Sequence, residues 1–138
     1  MATYNKFNQT VEDLGNGVHD LAADQLVVAL TNTLPVAGNS VLADLTEIAY
    51  TNLSTRNITT TSATQTAGTY RPILVDLTLT ASGGPVADFR YVAVYNDTPT
   101  SPADPLIAWY DYGSAVTMQD GETFLIDFDG VNGLFGLA

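Results

Sequence analysis

The sequence contains no cysteine and a single histidine, His19. Without cysteine the chain can form neither disulfides nor thiolate metal sites. One imidazole excludes every zinc site that needs two histidines, and the sequence shows no orienting partner for a catalytic histidine. We therefore expect His19 to pack at the end of the first helix or in the link that follows it, and we expect no metal or other cofactor.

Basic residues are also scarce, since four of them stand against 15 acidic residues and the formal net charge is -11. No basic stripe can follow a phosphate backbone, so we expect no nucleic acid partner. The same charge repels anionic lipid, and no apolar run approaches membrane-spanning length, so we expect no membrane contact. The N-terminus lacks the basic start and apolar stretch of a secretion signal, which predicts synthesis in a cytoplasm.

Apolar residues are abundant enough for a folded core. Of the 138 residues, 46% are apolar and 14% are charged, a balance that excludes disorder. A chain of this length fits one domain and buries roughly two-thirds of its unfolded surface. We find no internal repeat or linker. The sequence therefore predicts a single domain over residues 1–138, with residues 1–10 as a candidate N-terminal arm.

The first quarter of the chain predicts one helix and one strand. Apolar residues recur at helical spacing between positions 7 and 21. The glycines at Gly15 and Gly17 lower helix stability and favour a helix end, so we expect a short helix that stops there. Residues 26–30 are too few for a typical helix and rich in strand formers, which predicts a strand.

The next quarter predicts a surface helix and a polar segment. Apolar residues at helical spacing within 41–48 indicate one short helix, with Asn39 or Ser40 placed to cap its first free amides. Residues 51–69 are rich in Thr, Ser and Asn and hold few large apolar groups. They predict an exposed edge strand or a loop, where a partner could dock.

The second half of the chain predicts several strands. Residues 70–80 alternate and indicate one half-buried strand, whereas residues 89–95 are apolar on both faces, which requires a covering partner or loop. Residues 96–105 contain three prolines and predict a loop. Further strands are predicted over 106–112 and 123–128. Short strands without βαβ alternation predict an all-β fold, an antiparallel β-sandwich or jelly-roll-like domain with one or two short helices.

No motif for catalysis is present. The serines lie outside any Gly-x-Ser-x-Gly turn, and no glycine-rich phosphate loop occurs. Asp127 and Asp129 lie two residues apart on a predicted strand and could face one side to hold a cation, but the later ligands of a calcium loop are missing. We therefore interpret them as part of a solvated sheet face. We expect no enzyme activity.

Aromatic residues cluster at the third predicted strand. Alternation places Trp109 opposite Tyr110 and Tyr112, so one set of rings would fill the sandwich and the other would meet a second surface. Flat rings with polar tips also suit sugar stacking. The cluster is therefore compatible with a core, with a protein interface and with a carbohydrate platform.

Segments along nearly the whole chain resemble a family of tailed-bacteriophage virion proteins, the small head decoration or cement proteins and related accessory subunits. Residues 52–58 depart from the family pattern, which is richer in glycine there. The segments that carry the resemblance are Tyr4-Asn5-Lys6-Phe7, Glu12-Asp13-Leu14, Gly17-Val18-His19, Ala29-Leu30-Thr31-Asn32, Val41-Leu42-Ala43-Asp44, Gly68-Thr69-Tyr70, Thr80-Ala81-Ser82-Gly83-Gly84, residues 89–97, residues 105–113 and Asp120-Gly121-Glu122.

The resemblance implies a non-catalytic protein on the outside of a phage head, made in the cytoplasm of the host bacterium. Such a protein binds the major capsid protein across capsomer junctions and resists the outward push of packaged DNA. Its charge suits this place, because an acidic protein gains nothing from facing DNA. Decoration proteins form closed oligomers, so the resemblance favours a homotrimer, with a dimer second.

Two segments are candidate protein interfaces. The N-terminal arm is aromatic ahead of the first regular element, which suggests that it contacts the shell or a neighbouring copy; its candidate residues are Tyr4, Lys6 and Phe7. The aromatic strand supplies the other candidates, Trp109, Tyr110 and Tyr112. The alternative function is a tail-fibre or tail-tip module that binds a receptor or carbohydrate through exposed aromatics and residues 51–69.

Overall fold

The computed structural model describes residues 2–138, and Met1, part of the predicted domain and arm, lies outside the described residues. Its regular structure is mostly β-strand with one short α-helix, as predicted. The elements in chain order are β1 (Thr3–Lys6), α1 (Gln9–Gly15), β2 (Leu26–Thr31), a 3₁₀ turn (Leu42–Asp44), β3 (Asn57–Ile58), β4 (Thr60–Thr66), β5 (Thr69–Leu74), β6 (Leu77–Thr80), β7 (Val86–Asn96), β8 (Leu106–Met118) and β9 (Thr123–Ile126).

The strands form one large and two small antiparallel sheets. The large sheet has the order β1-β8-β7-β2-β3, and the small sheets are the pairs β4-β5 and β6-β9. Isolated bridges widen both small sheets: Tyr70 pairs with Leu137 near the C-terminus, and Leu53 pairs with Ala81. This arrangement confirms the predicted all-β sandwich, since two layers of sheet can enclose a core.

The main core lies between the large sheet and the two small sheets. Its buried residues come from β2, β7 and β8 on one side and from β5, β6 and β9 on the other, and Phe89, Leu79 and Leu30 are fully buried. Period-two alternation along β2 and β7 places every second side chain in this core. The remaining side chains of the same strands face the opposite side of the large sheet.

A second core covers that opposite side. Its members are Phe7, Val27, Ala29, Tyr91, Ala93, Tyr95, Leu106 and Trp109. Leu42 and Leu45, from the segment between β2 and β3, pack against it. A loop of the same chain therefore covers the second face of the strand that the sequence predicts to be apolar on both sides.

The helix α1 is confirmed, but its buried face differs from the predicted one. Val11 is 55% exposed, whereas Thr10 and Asp13 are buried. The Thr10 hydroxyl lies 3.0 Å from the carbonyl oxygen of Leu106 and 2.9 Å from that of Ile107, so a hydrogen bond to β8 satisfies it. Polar contact with the end of β8, together with the packing of Leu14 on the main core, fixes the helix on the sheet.

The predicted strand over residues 70–80 is wrong as a single element, because the chain passes there from one small sheet to the other. The strand breaks between β5 and β6, where Val75 is 47% exposed and its N–H donates to Thr59. The carboxylate of Asp76 accepts a hydrogen bond of 2.9 Å from the N–H of Phe128. These bonds take the place of ladder pairs and turn the chain.

The predicted surface helix over 41–48 is also wrong, since only the three-residue turn Leu42–Asp44 is helical. The Asp44 carboxylate accepts hydrogen bonds from the N–H groups of Ser40 and Val41, at 2.8 and 3.2 Å. The amides are therefore capped by Asp44 and not by the side chains of Asn39 or Ser40. These bonds form a cap at the N-terminal end of the turn.

Candidate functional site

The strand β1 forms an open edge of the large sheet. It pairs with β8 on one side, with Tyr4 opposite Tyr110 and Lys6 opposite Ala108, and within residues 2–138 no strand pairs with its other side. The segment predicted as an N-terminal arm therefore holds this edge strand. An open edge presents unpaired backbone donors and acceptors, which suit pairing with another chain.

The predicted interface residues of β1 separate into exposed and buried ones. Tyr4 is 36% exposed and Lys6 is exposed, whereas Phe7 is fully buried. The ring of Phe7 packs on Trp109 with 4.6 Å between ring centroids, in the second core. Phe7 and Trp109 therefore serve the interior, and their side chains offer no surface to a partner.

The other two aromatic candidates differ in exposure. Tyr110 packs against the main core and meets Tyr4 edge to face, with ring centroids 5.9 Å apart. Burial raises the pKa of the Tyr110 phenol well above its ordinary value. Tyr112 is 54% exposed, and its ring packs against that of Phe124 with 5.3 Å between ring centroids. The sequence thus correctly separates Trp109 from the tyrosines on the opposite face.

An apolar groove lies beside the β1 edge, with a volume of about 680 Å³. Its lining includes Tyr4 and Lys6 of β1, Val11 of α1, Tyr70 of β5 and Leu137 near the C-terminus. Val11 and Leu137 are more than half exposed. No Asp or Glu lines the groove within residues 2–138, although the chain carries 15 acidic residues.

Two of the four basic side chains are held by the fold. Arg56 donates to the carbonyl oxygen of Val28 at 2.6 Å and stacks on Tyr50. Arg90 and Asp111 form a two-pronged ion pair of 2.8 and 3.0 Å. In the described part of the chain Lys6 makes no ion pair, so its ammonium is available to a partner beside the groove.

His19 belongs to a buried polar network that the sequence does not reveal. Its Nδ1 lies 3.1 Å from Nδ2 of Asn96, which also donates to the Asp24 carboxylate at 2.6 Å. Its Nε2 lies 4.0 Å from a carboxylate oxygen of Asp13. Burial lowers the pKa of His19, while Asp13 and Asp24 oppose that shift. The side chain itself is fully buried, so it helps to fix the link after α1.

The carboxylate of Asp129 is occupied by its own turn. It accepts hydrogen bonds from the N–H groups of Val131 and Asn132 and from the Asn132 amide, all at 2.8 Å. These bonds lower its pKa. Asp127 is exposed after β9, and among residues 2–138 no group of three His, Cys, Asp or Glu side chains is close enough to hold a metal ion.

No family model, curated protein or solved structure shows significant similarity to this chain. Within residues 2–138 no helix has the length and apolar character needed to cross a membrane. Of the residues that line the groove, the sequence predicts only Tyr4 and Lys6 as site residues; Val11, Tyr70 and Leu137 are among those that it does not predict. They lie far apart in sequence, and only the bridge between Tyr70 and Leu137 brings the last two together.

Proposed function

We propose that this chain is a non-catalytic virion structural protein that decorates the outside of a phage head. It binds the major capsid protein across capsomer junctions and acts as a closed homo-oligomer. The resemblance of its sequence to head decoration proteins supports this choice of particle. The observation that carries the proposal is the groove beside β1, an apolar surface free of acidic side chains on a chain of net charge -11.

Charge and exposure favour a protein as the ligand of this groove. Exposed apolar residues that lie together mark contact sites, and Val11, Tyr4 and Leu137 lie together here. A partner that covers them gains apolar burial without desolvating a carboxylate, which is costly unless the charge is paired. The side chain of Lys6 also lines the groove, so it adds a positive charge to this surface of an acidic chain.

The groove stands on a rigid base. Tyr4 is fixed by its contact with Tyr110, and α1 is fixed by the hydrogen bond from Thr10 to β8. A preformed surface binds without a large ordering cost. Many copies on one shell then stabilise it together even where each contact is weak, because linked contacts add avidity.

The acidic remainder of the surface suits the outside of a head. It repels DNA and keeps unassembled copies soluble. Two cores, one on each face of the large sheet, give a small domain that resists deformation. A stiff subunit held at several points opposes the separation of the capsomers below it.

Purified heads from the phage that carries this sequence test the proposal. The labelled chain is mixed with expanded heads and with isolated tails, and the bound copies are counted by quantitative gel analysis. The proposal expects saturable binding to heads with hundreds of copies per particle. Binding of only a handful of copies, or binding to tails alone, contradicts it.

The second candidate is a module that binds carbohydrate at a tail fibre or tail tip. It is favoured by a shallow polar depression of about 360 Å³ on the β4-β5 sheet, lined by Ser62, Thr64 and Arg71. Hydroxyl groups and an arginine can hydrogen-bond to sugar hydroxyls. A glycan array with Arg71→Ala as the control supports this candidate if binding is seen and is lost in the variant.

A further inference from the structure

The backbone of β1 has two residues whose polar groups face away from β8. The N–H of Phe7 donates to the carbonyl oxygen of Ile107, so in this antiparallel pair the odd residues Thr3, Asn5 and Phe7 bond to β8. Tyr4 and Lys6 therefore direct their N–H and C=O groups outward. Four backbone groups are free on this edge.

The free edge ends at Lys6. The next outward N–H, that of Asn8, already donates to the carbonyl oxygen of Ala37 at 2.9 Å. An added antiparallel strand can therefore use only Tyr4 and Lys6. This restriction limits the register of any strand that pairs with β1.

We infer that β1 pairs with β1 of a second copy of this chain, with Asn5 on the two-fold axis. In this register Tyr4 lies opposite Lys6 of the other copy, and all four free groups of each strand are bonded. Shifting the register in one direction places two Lys6 ammonium groups opposite each other and requires the occupied Asn8. Shifting it in the other direction pairs Lys6 with Ala2, outside the strand.

Side chains and charge fit the same register. A two-fold axis perpendicular to the sheet keeps Tyr4 and Lys6 of both copies on one face, so each ammonium meets the ring of the opposite tyrosine. The groove beside this edge carries no acidic side chain in the described residues, so no carboxylate of the groove lining adds to the repulsion between the two copies. The two grooves then lie side by side on one face of the joined sheet.

The contact gives the self-association in the proposed function an interface, and it stands independently of what the grooves bind. It predicts a dimer, whereas the resemblance favours a trimer. A pair of two-residue edges is a small interface, so the dimer is expected to dissociate in the micromolar range or above. Sedimentation of the purified chain separates monomer, dimer and trimer by mass.

A single cysteine tests the register, because the chain has none of its own. Asn5 of the two copies form a non-hydrogen-bonded pair with Cα atoms about 4.5 Å apart, which lies within the range that a disulfide spans. Asn5→Cys is therefore expected to give a covalent dimer on mild oxidation. Val131→Cys, at an 82% exposed loop position, is the matched control for random collision.

A proline at position 6 tests the edge separately. Lys6→Pro removes an outward N–H and leaves the bonds from β1 to β8 in place, since proline is tolerated on the free side of an edge strand. Adding it to Asn5→Cys is expected to reduce cross-linking to the Val131→Cys level. Cross-linking of Asn5→Cys no faster than Val131→Cys, or undiminished cross-linking in a folded double variant, overturns the inference.

The outcomes separate this inference from the proposed function, because the cross-linking experiment uses the purified chain without heads. If Asn5→Cys cross-links but the chain does not bind heads, the result supports self-pairing through β1 and contradicts the decoration function. If the chain binds heads in hundreds of copies but Asn5→Cys does not cross-link, the result supports the decoration function and contradicts self-pairing through β1.

Discussion

The Nδ1 atom of His19 lies 3.1 Å from Nδ2 of Asn96 in the buried link behind α1. The amide orientation of Asn96 is set by its oxygen, which accepts a hydrogen bond from the N–H of Thr98 at 3.1 Å. Nδ2 is therefore the donor and Nδ1 of His19 the acceptor. The imidazole is neutral and carries its proton on Nε2, towards Asp13.

This arrangement predicts loss of stability in mild acid. Burial lowers the pKa of His19 in the folded chain below its ordinary value of 6.5, against the opposing charges of Asp13 and Asp24. Below pH 6.5 the imidazole of His19 binds a proton in the unfolded chain but not in the folded chain. The free energy of unfolding is therefore highest above pH 6.5, and it falls as the pH decreases towards the pKa of His19 in the folded chain. Denaturant titrations between pH 5 and pH 8 are expected to show this slope, on the order of 1 kcal/mol per pH unit.

His19→Gln is the control for this slope, because glutamine keeps a polar amide and does not titrate. The variant is expected to be less stable at pH 8 but to show no slope between pH 5 and pH 6.5. Asp44, Asp111 and Asp129 have lowered pKa values, and their contribution is lost only below about pH 4. If the free energy of unfolding of the variant depends on pH as that of the parent does, groups other than His19 cause the pH dependence.

Phe7 and Tyr4 are expected to respond differently to truncation. Phe7 is fully buried against Trp109, so Phe7→Ala should lower the free energy of unfolding by about 4 kcal/mol. Tyr4 is partly exposed at the edge, so Tyr4→Ala should cost about 1 kcal/mol. Urea unfolding measures both values. Equal losses would contradict the assignment of Phe7 to the core and of Tyr4 to the surface.

Gly133 marks the point where the C-terminal segment meets β5. A Cβ atom there would lie 2.5 Å from the carbonyl oxygen of Pro72, and the backbone has φ +76°. Gly17 has a similar φ of +73° but open space around it. Gly17→Ala therefore measures only the cost of placing an alanine at positive φ, about 1 kcal/mol.

Gly133→Ala adds a backbone clash to that cost, and it is expected to destabilise by about 2 kcal/mol more than Gly17→Ala. The displaced segment contains Phe135 and Leu137, which line the groove. Thermal unfolding of the two variants compares the costs. If Gly133→Ala is no worse than Gly17→Ala, the C-terminal segment is not packed as the structure shows.

The central strands of the large sheet, β2, β7 and β8, could be predicted from sequence because their patterns are local. Residues 26–30 and 89–95 carry dense apolar runs, and they form the buried strands β2 and β7. The break at Val75 was missed, because the alternation continues through it. The bond that turns the chain there comes from Phe128, which lies 52 residues away from Asp76.

The candidate site could be predicted only in part. Tyr4 and Lys6 were identified by their place before the first helix, but Phe7 looked the same in sequence and lies in the core. The part of the groove that Tyr70 and Leu137 line depends on the bridge between these two residues, and no local sequence pattern predicts such a pair. The partners of His19 were missed for the same reason, since Asn96 lies 77 residues away.

The central claim is that the groove beside β1 is the surface that binds the head. The most direct measurement compares Val11→Glu, in the groove, with Val75→Glu, at an exposed position between β5 and β6 that lines neither the groove nor the polar depression; both add one negative charge. Binding of each variant to purified heads is measured by sedimentation with the particles. If the groove binds the head, Val11→Glu weakens binding by about tenfold or more, equal to about 1.4 kcal/mol, while Val75→Glu binds as the parent does. Equal binding of the two variants would contradict it.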